Sequence, residues 1–166
     1  MIISLQPGMR RAIFLPVNNR VLDPSSYCGG EGAGGSHWSL LVFIASSGTA
    51  YHLDSAGGIG SAGNKRPAIQ LTGQLEKLLA YAAGKSGPRG PLAYEELTCA
   101  RQGNTSDCGV YVLMHCTIIA SYLAKGASID DVSFSSVNDA AAKQYRSRLR
   151  ELIDATSHEY RSSRAS

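Results

Sequence analysis

Three scarcities narrow the reading of this 166-residue chain before any residue is singled out. Long apolar runs are missing: the longest is the six residues Leu40 to Ala45, far short of the ~20 that a membrane helix needs. No basic-then-apolar segment precedes it, so a soluble, intracellular protein with no membrane partner is expected. Charge is sparse, at 17% of residues, and the surplus of three positive charges lies in residues 143–166. That segment holds six basic and three acidic groups, whereas residues 1–142 carry ten of each. A neutral body lacks the basic face that nucleic-acid binding requires, and no nucleic-acid partner is expected. Cysteine occurs four times, at 28, 99, 108 and 116, without a C-x-x-C pair. This spacing argues against structural zinc, and thiols in a chain without a secretory leader suit a reducing compartment, cytoplasmic and/or nuclear.

What is present is enough for one folded domain spanning residues 1–166, since 43% of residues are hydrophobic and no repeat or linker divides the chain. Ala12 to Val17 reads as a short strand, with Pro16 placing it at an edge or a bulge. After a loop with five glycines in residues 29–35, Trp38 to Ala45 and Ala50 to Asp54 read as two buried central strands joined at Ser46-Ser47-Gly48. Pro67 suits the first turn of a helix with leucines at 71, 75, 78 and 79, and Gly84 suits its C-terminal cap. Leu92 to Cys99 is a strand candidate. A long apolar helix is expected from Cys108 to Ala124, and an amphipathic one from Asn138 to about Ala155 with Tyr145, Leu149, Leu152 and Ile153 on one face. Residues 156–166 are expected to be a frayed tail. The order β-β-β-α-β-α-α implies an α+β domain with a mixed or antiparallel sheet.

Two motifs compete as sites of chemistry. Gly58-Ile59-Gly60-Ser61-Ala62-Gly63 matches G-x-G-x-x-G, but Lys65-Arg66-Pro67 separate it from the helix, and Glu76 lies inside that helix instead of ending a second strand. It reads as a flexible loop. No G-K-[ST] occurs, so a Walker A loop is absent too, and neither a cofactor nor a metal is expected. The stronger signal is Gln102-Gly103-Asn104-Thr105-Ser106-Asp107-Cys108-Gly109, a polar turn that ends in a cysteine at a helix start, with Ser106 or Asp107 a natural N-cap. The positive end of a helix activates a thiol placed there, and the free amides of the first turn can donate to an oxyanion. Cys28, Cys99 and Cys116 have no such setting and read as structural.

A cysteine nucleophile needs a base. His115 lies seven residues along the same helix, roughly 10 Å away at 1.5 Å per residue, and His158 falls in the tail. His37 opens a strand after the glycine-rich loop, whereas His52 lies within the next strand. His52 and Asp54 share a strand face roughly 7 Å apart, too far for an easy direct bond, while Asp54 can reach a histidine on a neighbouring strand. His37 is the better candidate on these grounds, with a structural role for it still open.

His37-Trp38-Ser39-Leu40-Leu41-Val42, then Tyr51-His52-Leu53-Asp54-Ser55, then Gln102 six residues before Cys108 in Asp107-Cys108-Gly109, resemble the ubiquitin-like-protein protease family of cysteine peptidases. The order His, Asp, Gln, Cys separates the chain from papain-like enzymes that run Cys, His, Asn. The likeness covers residues 11–124 and is greatest to the deneddylase branch. It implies a papain-like cysteine protease fold with a central mixed sheet and the nucleophile at the N-terminus of a long central helix. It further implies Cys108 as nucleophile, His37 as general base, Asp54 as its orienter, and Gln102 with the Cys108 amide as the oxyanion hole. Trp38 would cover the channel admitting a terminal Gly-Gly, and Asp107, next to the nucleophile, joins it as an expected substrate contact. The expected activity is a monomeric thiol protease or isopeptidase acting on a ubiquitin-like protein, NEDD8 before SUMO. The rival is a module that binds such a tail without cutting it. Two departures from the family are a short segment before the first strand and a long stretch between Asp54 and Cys108.

Overall fold

The apolar run Leu40 to Ala45 becomes the centre of a sheet. In the computed structural model, which describes residues 2–3, 12–19, 37–57, 63–82 and 91–165, strands β1 (Ile2–Ile3), β2 (Ala12–Asn18), β3 (Trp38–Ile44), β4 (Thr49–Leu53) and β5 (Ala93–Glu96) lie side by side in chain order. The first four pair antiparallel and β5 runs parallel to β4, so the sheet is mixed. β3 and β4 turn at Gly48, whose φ of 69° is the left-handed conformation glycine supplies, and its amide closes the turn on the Ile44 carbonyl at 3.0 Å. Pro16 lies past the short pairing with β1 and is exposed, where its missing N–H interrupts no ladder. The two-residue β1 is too short to announce itself by alternation and was not expected from the sequence. β5 is shorter than the expected 92–99 because the chain leaves the ladder after Glu96. There the Leu97 amide still reaches the His52 carbonyl, and Gln102 then bonds to Ser55.

Helices cover both sheet faces, which is why β3 and β4 carry apolar residues on both sides. Leu40, Val42, Ile44, Tyr51 and Leu53 pack against Val112, Ile119 and Leu123 of α2 (Cys108–Ala124). On the opposite face Leu41 and Ala50 meet Ala68 and Leu71 of α1 (Lys65–Ala82). The outer side of α2, through Val110, Tyr111 and Met114, packs with Val137, Ala142 and Tyr145 at the start of α3 (Asp139–Ala165). Covered on two sides, α2 is apolar around most of its circumference. Among the described residues no helix is long and apolar enough to cross a membrane.

Two expectations about α3 change. The helix runs to Ala165, ten residues past the expected end, because no glycine or proline interrupts 156–165. Its apolar stripe is only partly used: Tyr145 is packed, but Leu152 and Ile153 are 63% and 61% exposed. Periodicity marks a face without saying how far a partner extends along it. Gly58 to Ala62, the glycine-rich 29–35 segment, Cys28 and Gly84 lie outside the described residues.

Candidate active site

Antiparallel register brings the start of β3 beside the end of β4, since Leu40 pairs with Leu53. His37, one residue before β3, therefore meets Asp54, one residue after β4, and His37 Nε2 lies 2.7 Å from Asp54 Oδ1. This is the cross-strand partner expected for Asp54. A carboxylate accepts, so Nε2 carries the proton and Nδ1 is left as the nitrogen able to take one. Both side chains are largely buried, at 14% and 12% exposure. Asp54 accepts two further bonds, from the Ala56 amide at 3.0 Å and the Asn64 amide at 3.1 Å. Burial alone pushes the Asp54 carboxyl up, but the His37 bond and these amides outweigh it and hold it below the usual carboxylate range.

The backbone of His37 is held as firmly as its ring. Its amide donates to Asn19 Oδ1 at 3.0 Å, and its carbonyl accepts from Asn18 Nδ2 at 3.1 Å, Asn64 Nδ2 at 3.3 Å and the Asn19 amide at 3.2 Å. Asn64, fully buried at the entrance to α1, also donates to the Val17 carbonyl at 2.9 Å. Asn64 thus ties the backbone of His37 to the Asp54 carboxylate. Its role is not legible in the sequence beyond one local signal: an Asn directly before a helix with Pro67 in its first turn marks a helix start.

His52 is a core residue. It is 3% exposed, with Nε2 2.9 Å from Ser39 Oγ and Nδ1 3.0 Å from Tyr94 OH, and burial lowers its pKa. His115 is buried beside Tyr111 and Phe134, and burial pushes its pKa down to about 4. Neither is placed to serve Cys108.

Cys108 is the first residue of α2 and is 6% exposed. Cys99 and Cys116 are free as well, and burial pushes both thiols up to about 11, which keeps them protonated at neutral pH. Gln102 is coupled to the His37–Asp54 side through the next residue: its amide donates to the Ser55 carbonyl at 3.0 Å and its Oε1 accepts from Ser55 Oγ at 2.7 Å. Its Nε2 donates one N–H to the Asn104 carbonyl, and the amide group carries a second N–H besides. A continuous chain of contacts thus runs His37, Asp54, Ser55, Gln102, and the loop from Gln102 leads directly into Cys108.

Asp107 occupies the N-cap position of α2, but its side chain makes no capping bond. Asp107 is thus the N-cap residue, as expected, but its carboxylate has better-charged company than the helix amides: it pairs with the Arg146 guanidinium and accepts from Asn104 Nδ2 at 2.9 Å. Arg146 holds the Asp107 carboxyl below the usual carboxylate range, with Asn104 assisting. Trp38, the first residue of β3, is 43% exposed next to His37. Among the described residues no three His, Cys, Asp or Glu side chains gather as a metal ion would require.

Residues 12–159 match the model of the Ulp1 protease family, C-terminal catalytic domain. Human sentrin-specific protease 8 is 34% identical over 104 residues, 63% of this chain and 41% of that protein. NEDD8-specific protease 1 of Arabidopsis thaliana is 31% identical over 130 residues, 76% of this chain and 50% of that protein. The chain therefore spans half or less of the length of these relatives. Among solved structures, the SUMO protease Ulp1 with its catalytic cysteine oxidised to a sulfenic acid superposes with a TM-score of 0.55 at 22% identity, covering 88% of this chain and 53% of that one. The Ulp1 protease domain bound to Smt3, the yeast ortholog of SUMO, gives 0.51 at 23% identity, covering 81% and 48%. These two share the α+β fold with this chain.

Proposed function

This chain belongs to the Ulp1 protease family, and from that premise we propose that it is a thiol protease and isopeptidase that cuts after the C-terminal Gly-Gly of a ubiquitin-like protein. The observation that carries this reading is the 2.7 Å His37–Asp54 bond, buried and supported by two backbone amides on the carboxylate, at the sheet end from which the Gln102 loop leads to Cys108. His37 Nδ1 takes the thiol proton, and the Cys108 sulfur attacks the glycine carbonyl carbon. The resulting oxyanion is met by the second N–H of Gln102 and the Cys108 amide. Collapse breaks the C–N bond, and the proton held by His37 goes to the leaving amine. Water then hydrolyses the thioester with His37 again as base. Asp54 keeps the ring in the required tautomer throughout. Trp38 roofs the glycine channel, and Asp107, paired with Arg146, borders it as a substrate contact.

NEDD8 is the first choice of substrate, because the relatives at 31–34% identity are a sentrin-specific protease 8 and a protease named for NEDD8. SUMO is the second reading, favoured by the names of the fold neighbours. Three free cysteines among the described residues support a reducing site of action, cytoplasmic and/or nuclear. The test is to expose the protein to NEDD8, SUMO and ubiquitin, each carrying a C-terminal electrophile, and to map any adduct. An adduct of NEDD8 on Cys108, faster than with the other two, is the expected result. Reaction with none of them leaves a binding module in its place.

A further inference from the structure

The loop that carries Gln102 into Cys108 is exposed, yet it is fastened at both ends by one helix that takes no part in the chemistry. Asp139, the first residue of α3, accepts from the Gly103 amide at 3.0 Å and from Tyr111 OH at 2.7 Å with the same carboxylate oxygen. The approach is so close that a Cβ on Gly103 would stand 2.2 Å from Asp139 Oδ2, so a larger residue there would have to push the carboxylate aside. Two turns along α3, Arg146 Nη2 donates to the Ser106 carbonyl at 3.0 Å and pairs with the Asp107 carboxylate. Between these points Asn104 Oδ1 gathers the amides of Ser106 and Asp107 at 2.9 and 3.0 Å, while the Asn104 carbonyl holds the Gln102 side chain. The Gln102 amide group is therefore oriented by Asn104 on its nitrogen and by Ser55 on its oxygen, and the α3 contacts hold the residues on either side of Asn104.

We propose that Asp139 and Arg146 are positioning residues, through which α3 clamps the Gln102–Cys108 loop in the shape that aims the Gln102 N–H and the Cys108 amide at the oxyanion. This rests on the acyl-transfer reading above. Both bonds come from Nη2, whose two N–H groups are fixed in the guanidinium plane, whereas a lysine ammonium keeps the charge without that fixed pair of donors. A preorganised oxyanion hole acts only as charge develops, so loosening it lowers kcat more than it changes substrate binding.

The experiment measures kcat and KM on the best-cleaved ubiquitin-like substrate, together with amide hydrogen exchange over residues 103–108, for wild type, Arg146→Ala, Arg146→Lys, Asp139→Ala and the control Arg148→Ala. Arg146→Ala is expected to lower kcat by about 10- to 100-fold with KM within about 3-fold, and Arg146→Lys to recover part of that loss. Arg148→Ala should match wild type. In a Gln102→Ala background Arg146→Ala should cost less than about 3-fold, because the donor it positions is already gone. Exchange at 103–108 should accelerate in Arg146→Ala and Asp139→Ala while the α2 core stays protected. Full additivity with Gln102→Ala, a loss confined to KM, or unchanged exchange at 103–108 would each overturn the clamp. If Arg146→Ala fails to fold, Arg146→Lys and Asp139→Ala decide the same points. Should wild type cleave no ubiquitin-like substrate, the acyl-transfer reading falls, and the exchange data still decide whether α3 orders the loop.

Discussion

The two halves of the site are built by different means. The His37–Asp54 half is buried, belongs to the ends of adjacent strands, and is held by backbone amides and asparagine side chains at Asn18, Asn19 and Asn64. The Gln102–Asp107 half is a mostly exposed loop, held by its own Asn104 and by side chains of α3 that follow it by 36 and 39 residues. The first is rigid because the sheet is rigid. The second is rigid only while a few exposed polar bonds, each weakened by competition with water, persist together. Substitutions in the base half should therefore abolish chemistry outright, and those in the loop should grade it.

The largest effect is expected at Asp54. Asp54→Asn keeps the shape but presents an amide to His37 Nε2, which favours the wrong tautomer, and turnover should fall by roughly 10³- to 10⁴-fold. The same variant tests the linkage to stability. The folded-state pKa of Asp54 is depressed, so its contribution is complete above the ordinary carboxylate range and is lost as pH falls through the folded value. Tm measured from about pH 5 toward pH 2 should drop more steeply for wild type than for Asp54→Asn. Parallel curves would show that the three bonds to the carboxylate add no stability.

Second in size is Gln102→Ala, with turnover reduced roughly 10²- to 10³-fold, the cost of one oxyanion donor. Iodoacetamide forms no tetrahedral oxyanion, so alkylation of Cys108 should stay within about 2-fold of wild type, whereas His37→Ala should slow both rates. Turnover within a few-fold of wild type would remove Gln102 from the mechanism and pass its role to another donor. Cys108 should also be alkylated before Cys99 and Cys116, whose thiols burial keeps protonated.

How much of each half could be read beforehand follows the same division. The hairpin at Gly48 fixes which ends of β3 and β4 meet, so spacing favours His37 over His52 as the partner of Asp54, while the roles of the pair are implied only by the family resemblance. The start of α2 at Cys108 was equally legible, because a polar turn gives way abruptly to an apolar helix. The α3 contacts were not. Asp139 reads locally as a first-turn acid and Arg146 as a solvated helix charge, and their pairing with Gly103, Ser106 and Asp107 depends on how α3 docks against α2. Asp107 stands at the N-cap as its sequence position implies, but its carboxylate does not cap for that reason: local rules weigh the helix amides, and the guanidinium arrives from outside the local window.

Gly103→Ala sharpens the comparison with a smaller change. The added methyl collides with an Asp139 carboxylate pinned by Tyr111, so either the loop or the carboxylate must move and bonds at that point are lost. Turnover should fall several-fold, with only a small drop in Tm because both residues are exposed. An unchanged kcat with lowered Tm would mean that this end of the loop tolerates displacement, and the weight of positioning would pass to Arg146.

The smallest effect is expected at the histidine that does no chemistry. Tyr94→Phe removes the hydroxyl 3.0 Å from His52 Nδ1 and leaves the Ser39 bond on Nε2 in place. A buried ring nitrogen without its partner costs about 1–3 kcal/mol, at the low end here because Tyr94 is only half-buried and water can replace its hydroxyl. Turnover, by contrast, should stay within 2-fold of wild type, since His52 lies inside β4 and its two bonds run to Ser39 and Tyr94 instead of toward Asp54. Chemical denaturation and turnover measured on the same preparation decide the matter. A loss of turnover out of proportion to the loss of stability would place His52 in the network that orients Asp54, and the separation between a catalytic and a core histidine two residues from the same aspartate would fail.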